Sequence, residues 1–367
     1  MERSPASTES TPTVTPKRWA SLNAYAITLL VVALISFIRI TPKVWPWTWQ
    51  SKVPVAFEVI RVRPLLRQLA DPIHWDVGES LTGGGVIDNA MRWRLLAPTV
   101  GRMLHLTPLA YLFLPWGGWL LLLGVTVYFS RYQLKLTCFQ TGCLGVLVGT
   151  SVAAWLSMWT IGTFYAWWCG LLIVTIFTDS PAIAIGCCLL GPWIDERFVF
   201  ILPVALVVRH HLKGIHAAWP GCLAALAPYL LIRLAALLNG DPSIGYQLTM
   251  QSAAFYGRAL LPGWWHGFRA GWLLIAVALV AVSKNASPTG RWVLWVMLAG
   301  YVIVISFLSW DATQNTAAFA PLLLVGAGCL GAGSRWTLPV LTALNLVLPL
   351  AYWSGDLRVP ITSFLCR

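Results

Sequence analysis

The sequence predicts an all-α polytopic membrane protein, with about 9–11 transmembrane helices and a large extracytoplasmic first loop carrying interfacial helices. Three observations lead there. The chain is 58% hydrophobic and only 10% charged, with a mean hydropathy of +0.71. A soluble domain carries about 25% charged residues, so lipid must face most of this surface. Apolar runs of membrane-crossing length recur along the chain. The 22 tryptophans suit a chain that meets the bilayer interface repeatedly, because indoles favour that zone.

Taken in order, residues 1–20 read as a cytoplasmic tail, disordered because it opens with Ser, Thr and Pro. Residues 21–41 form the first transmembrane helix, around the apolar run Leu22–Ile40. That run exceeds a signal-peptide core of about 7–15 residues and no small-residue cleavage site follows it. Residues 42–105 form the extracytoplasmic loop, in which 54–69 and 88–104 read as amphipathic helices lying in the interface. Residues 106–353 form the helix bundle, and 354–367 an extracytoplasmic tail.

Apolar runs in the bundle fall at about 106–129, 138–158, 164–177, 182–194, 198–208, 217–238, 271–282, 293–308, 317–331 and 338–352. The runs at 182–194 and 198–208 are short, and form either two crossings or a broken, re-entrant pair. Counting each run once places Lys17, Arg18, Arg131, Lys135, Arg209, Lys213, Lys284, Arg291 and Arg335 on one side. Basic short loops stay cytoplasmic, so the chain is expected to be multi-pass in the cell membrane with a cytoplasmic amino terminus. The same topology accounts for the net charge of +12, and nucleic acid is not an expected partner.

The eight cysteines lie mostly inside apolar runs and no C-x-x-C pair occurs. Neither a disulfide framework nor a zinc site is expected.

With only 13 acidic residues, where they stand is informative. Asp76, Glu79 and Asp88 lie on the first outside loop with Arg92, Arg94 and Arg102. Asp195 and Glu196 interrupt two apolar runs, and Asp311 closes another at the outer face. A carboxylate beside lipid is costly unless paired or hydrated, so such residues are functional candidates. The bland readings are a solvated loop for the first group, a turn neutralised by Arg197 for Asp195-Glu196, and a helix cap for Asp311. Arg233 sits among apolar neighbours, and either snorkels to the headgroups or offers a guanidinium fork to a phosphate. Thr82-Gly83-Gly84-Gly85 is a flexible turn and not a phosphate loop, since no G-K-[ST] follows.

His74-Trp75-Asp76, the glycine-rich gap, and Arg94-Leu95-Leu96-Ala97-Pro98 with Arg102 together resemble the first outside loop of GT-C type multi-spanning glycosyltransferases, especially their mannosyltransferase-like branches. The layout of one span, a large outside loop and then a bundle is similar over most of the chain. The resemblance implies a sugar donor carried on a polyprenyl phosphate, with membrane lipids and that lipid-linked sugar as partners. It implies Asp76, with Glu79 near it, as catalytic general base. Substrate-binding roles would fall to Asp88, Arg92, Arg94, Arg102, Asp195, Glu196, Arg233 and Asp311, the arginines stabilising the leaving lipid phosphate. No cofactor is implied beyond the donor, and a divalent metal is left open. The competing readings are a transporter or flippase built on a broken helix at Asp195, and a non-catalytic membrane assembly partner.

Overall fold

The computed structural model describes residues 16–41, 62–72, 93–159, 163–213, 218–239, 251–308, 312–330, 335–354 and 357–361. Helix α1 covers Pro16–Ile40. Short helices α2, Arg63–Ala70, and α3, Leu96–Met103, follow. The bundle then continues with α4 at Pro108–Tyr132, α5 at Cys138–Gly149, α6 at Val152–Trp159, α7 at Tyr165–Phe177 and α8 at Pro181–Leu190. Next come α9 at Arg197–Lys213, α10 at Ala218–Ala224, α11 at Ala227–Leu238, α12 at Gln251–Phe268 and α13 at Trp272–Asn285. The last helices are α14 at Pro288–Leu308, α15 at Ala312–Asn315, α16 at Ala320–Leu330 and α17 at Thr337–Val347.

Among the described residues four stretches are long and apolar enough to cross a membrane singly: Leu22–Ile40, Pro108–Tyr132, Trp219–Ala236 and Leu260–Asn285. The pair α5–α6 joins them as a fifth if counted as one span bent by 58°. Other apolar helices, such as Tyr165–Phe177, Pro181–Trp193 and Thr337–Val347, have only 10–17 residues. A bilayer core asks for about 20 residues of straight helix. The chain is an all-α polytopic membrane protein, and the expected count of about 9–11 treats each of these shorter helices as a crossing too. Its outer surface agrees with that class, for Leu30, Leu231, Leu238 and Leu261 are all more than 60% exposed. Exposed apolar side chains on several helices at once make a patch larger than a soluble monomer carries.

Inside the bundle, small residues let helix backbones approach, as lipid gives helices little hydrophobic reason to associate. Gly145 and Gly149, four apart on α5, receive Val32 and Ser36 of α1. A Cβ at Gly149 would stand 2.3 Å from Ser36 Oγ, and one at Gly145 2.9 Å from Val32 Cγ1. Between α13 and α16 the fit is closer still, since a Cβ at Gly326 would meet the Leu274 carbonyl oxygen at 2.0 Å.

Helix ends are closed from both directions. Thr107 caps α4 by accepting the Ala110 N–H, Thr137 and Gln140 form a reciprocal capping box at α5, and Ser180 caps α8. Three fully buried arginines close C-terminal ends, where the last carbonyls lack helical partners. Arg39 donates to Leu346 O and Leu348 O at the end of α17, at 2.8 and 2.7 Å. Arg209 donates to Thr175 O and Thr178 O at the end of α7, at 2.6 and 2.7 Å. Arg269, held at a φ of 50° between α12 and α13, donates to Thr150 O after α5 at 2.7 Å. A cation at a helix C-terminus also gains from the macrodipole.

The expected span 338–352 ends early. After Val347 the chain turns extended at Leu348, with ψ of 137°, because Pro349 disfavours helix in the residue before it. It continues as an antiparallel hairpin of β1, Leu350–Ser354, and β2, Leu357–Ile361. Of the two expected loop helices, α2 occupies the second half of 54–69, whose first half lies outside the described residues, whereas 88–104 is corrected: Trp93–Leu95 form a turn and irregular chain, and the helix begins only at Leu96.

The bundle has two polar ends. At one, Gln133 after α4, Asp179 after α7 and Lys213 closing α9 come together, with Lys213 Nζ 2.6 Å from Asp179 and 2.9 Å from Gln133. The other end holds the cluster described next.

Candidate functional site

The site begins at a break in the helices. Gly191-Pro192-Trp193 tightens into a 3-10 turn after α8, and α9 does not start until Arg197. Asp195 sits in the gap and its Oδ1 accepts the Arg197 N–H at 3.0 Å. The acid therefore supplies one of the orphan donors at the start of α9 with a partner.

Arg94, from the first loop, reaches into this gap. Its Nη2 lies 3.3 Å from Asp195 Oδ2 and 3.2 Å from Glu196 Oε1, and its Nε lies 3.5 Å from Glu196 Oε2. Arg197 approaches the same Asp195 Oδ2 at 3.4 Å, so that oxygen stands between two guanidinium groups. Asp195 is 3% exposed and Glu196 28%. Arg94 Nη1 has no partner among the described residues.

Neutral polar groups complete the cluster. Tyr165, the first residue of α7, accepts a hydrogen bond from Arg197 Nη1 and donates one to Gln314 Oε1. The Arg197 guanidinium also lies 5.1 Å from the centre of the Tyr165 ring. Gln314 is presented by a segment pinned from behind, by Tyr301 Oη donating to Asn315 O at 2.7 Å and Cys169 Sγ to Ala317 O at 3.2 Å. Beside it, Arg233 stacks over the ring of Trp93 at 4.7 Å, one residue before Arg94. Tyr229, one turn before Arg233 on α11, packs edge-on against Trp193 at 5.1 Å.

The two acids sit in the break, outside the helices on either side, and their charges are unequally supported. Burial raises the Asp195 carboxyl above the usual aspartate range, and Arg94 and Arg197 offset that only in part. Burial acts on Glu196 too, but there the guanidinium groups of Arg94 and Arg197 outweigh it and the carboxyl lies below its usual value.

An apolar cavity of about 110 Å3 abuts this cluster, lined by Leu96, Val100, Leu114, Phe164, Trp167 and Ile194 among others. Ile194 precedes Asp195, Phe164 precedes Tyr165, and Leu96 follows Arg94 by two. The same three segments that build the polar cluster thus carry the greasy wall. Chemically, the arrangement can hold an anionic head against fixed guanidinium groups while an apolar chain lies alongside.

Of the residues singled out in the sequence, Arg94, Asp195 and Glu196 meet directly, and Arg233 stands next to them. Arg102 does not join. It lies at the surface, 3.8 Å from Asp71, an exposed pair worth little energetically. Asp76, Glu79, Asp88, Arg92 and Asp311 lie outside the described residues. Tyr165 and Gln314 are the residues that sequence reasoning missed; neither type stands out in an apolar run. Arg197, read there only as compensating its neighbours, turns out to bridge Asp195 and Tyr165. Among the described residues no three His, Cys, Asp or Glu side chains gather as a metal site. No protein-family model, curated protein or solved structure matches this chain.

Proposed function

We propose that the protein is an integral membrane glycosyltransferase that moves a sugar from a polyprenyl-phosphate donor to an extracytoplasmic acceptor. The observation that carries the reading is the junction of the Arg94–Asp195–Glu196–Arg197 cluster with the apolar cavity walled by Leu96, Phe164 and Ile194. A lipid phosphate needs this pair of environments side by side. The resemblance of His74-Trp75-Asp76 and Arg94–Pro98 to GT-C type loops supports the same reading. On it, the charged end of the bundle is extracytoplasmic, the amino terminus is cytoplasmic, and the chain resides in the cell membrane.

In the proposed reaction an acceptor hydroxyl oxygen bonds to the anomeric carbon as the bond from that carbon to the phosphate oxygen breaks. The electron pair leaves on the polyprenyl phosphate, the acceptor proton passes to a carboxylate, and the anomeric configuration inverts. Asp76 is assigned as that base, with Glu79 beside it. Arg94, through its spare Nη1, and Arg233 stabilise the leaving phosphate. Asp195 and Glu196 act by positioning Arg94, since both carboxylates pair with its guanidinium. Asp88, Arg92 and Asp311 complete the substrate-binding set.

A second reading, a transporter or flippase, is favoured by the break at 191–196 between two apolar helices. Against it stands the position of the break. It meets a first-loop residue, Arg94, and the first residue of α7, at an end of the bundle rather than its middle.

Photo-crosslinking with a polyprenyl phosphate bearing a diazirine in its first isoprene units tests the assignment. Labelled peptides should contain Leu96, Phe164 or Trp167. Labels confined to other helices would remove the basis of the proposal.

A further inference from the structure

Trp167, on α7, forms part of the wall of the apolar cavity beside the charged cluster, and α4 holds it there. Leu114, Gly117 and Gly118 stand on one face of α4, three and four residues apart. The indole lies across the two glycines. A Cβ at Gly118 would meet Trp167 Cδ1 at 2.3 Å, and one at Gly117 would meet Cζ2 at 3.4 Å. Trp167 Nε1 donates to Leu114 O at 3.0 Å, so the ring is held at its edge as well as backed by the helix. We propose, resting on the lipid-phosphate reading above, that Trp167 seated on Gly118 is a specificity-determining residue. It admits a branched prenyl chain and rejects a straight acyl chain.

The need for such a residue follows from where the site lies. A bilayer surrounds it with phosphates carried on straight acyl chains, and arginines such as Arg94 and Arg233 attract any of them. A guanidinium distinguishes these lipids poorly, because each offers it the same phosphate oxygens. Discrimination therefore falls to the apolar wall. The cavity has a volume of about 110 Å3. A cavity of about 150 Å3 takes one benzene, so this one suits about five carbons, the size of one isoprene unit. Leu96 follows Arg94 by two residues and Ile194 precedes Asp195, which places that unit next to the phosphate.

Selectivity for shape needs walls that do not yield. A methyl branch gains contacts in a cavity that fits it, whereas a straight chain leaves part of the same space empty. A mobile side chain would swing in to fill that space, but Trp167 is pinned by α4. Phe164, a second aromatic on the wall, is backed by Tyr111, with ring centres 6.3 Å apart.

The test is binding of radiolabelled hexahydrofarnesyl phosphate and pentadecyl phosphate to the full-length protein in nanodiscs, with binding to empty nanodiscs subtracted. Both probes are saturated and carry equal numbers of carbons, so only the branching differs. Wild type is expected to bind the branched phosphate about tenfold more tightly, the discrimination that one methyl group brings in a fitted pocket. Trp167→Ala should still bind both probes and bring the ratio down to about twofold or less, because the widened cavity fits neither. Gly118→Ala, which tilts the indole off α4, should lower the ratio in the same direction. A merely structural role for Trp167 would weaken both probes in parallel and leave the ratio alone, and that result would overturn the assignment. Equal affinity of wild type for the two phosphates would also overturn it, with the lipid-phosphate reading left standing. Binding of neither probe by folded wild type would overturn that reading and the selectivity with it.

Discussion

Arg94 and Glu196 lie 102 residues apart in the chain and meet at 3.2 Å. One belongs to the first loop and the other to the gap between two helices deep in the sequence, so the pair fastens the loop to the bundle. Because Asp195 shares the same guanidinium nitrogen at 3.3 Å, the loop is held by a fork rather than by a single contact.

Removing Arg94 should therefore cost more than a surface charge would. Asp195, 3% exposed, would keep only Arg197 as a countercharge, and breaking a buried pair from one side costs about 3–5 kcal/mol. Arg94→Ala should lower thermal stability in detergent by an amount in that range, and adding Asp195→Asn should recover part of the loss. Purely additive losses would mean that the two residues do not interact.

The unequal support of the two acids gives stability a shaped pH dependence. Asp195 has a folded pKa above its unfolded value, so the native state binds its proton more readily, and lowering pH through that pKa adds stability. Glu196 has a folded pKa below its unfolded value. Its contribution is present above the ordinary glutamate range, near about 4.3, and is lost as pH falls through the depressed pKa. Protonating Asp195 should raise the melting temperature and protonating Glu196 should lower it. Asp195→Asn should abolish the rise and Glu196→Gln the drop, whereas an identical profile in all three proteins would refute the assignment.

Helix contacts through small residues predict a graded glycine series. Gly149→Ala places a methyl 2.3 Å from Ser36 Oγ and should cost about 1–3 kcal/mol, the usual price of overpacking. Ser36→Gly should restore most of that. Gly326→Ala meets a backbone carbonyl at 2.0 Å, which cannot swing aside, and should be worse. Gly142→Ala, with nothing within 4 Å, should be neutral. Melting temperatures of purified variants check the order.

The multi-pass class was legible because a lipid-facing surface needs few charges and many apolar residues, and composition records both. Asp195 and Glu196 were legible for the complementary reason, that a charge beside lipid is expensive and stands out, while Arg94 was singled out through the resemblance of its loop. Tyr165 and Gln314 left no such trace, since a neutral polar residue costs little until its partners are known. Nor did Arg39, which lies within an apolar run and is satisfied by carbonyls more than 300 residues away. The hairpin after α17 was hidden by the apolar run 338–352. Its one signal was Pro349, which forces the residue before it out of the helix.

Transfer from a lipid-linked sugar can be measured on the purified protein. Wild type, Asp76→Asn and Arg94→Lys, each purified into lipid nanodiscs, would be supplied with a panel of radiolabelled polyprenyl-phosphate sugars and an acceptor extract. Wild type should transfer from at least one donor, Asp76→Asn from none, and Arg94→Lys should lose about tenfold or more, because a guanidinium fork becomes a point charge. Transfer by no donor, or equal transfer by all three folded proteins, would contradict the glycosyltransferase assignment.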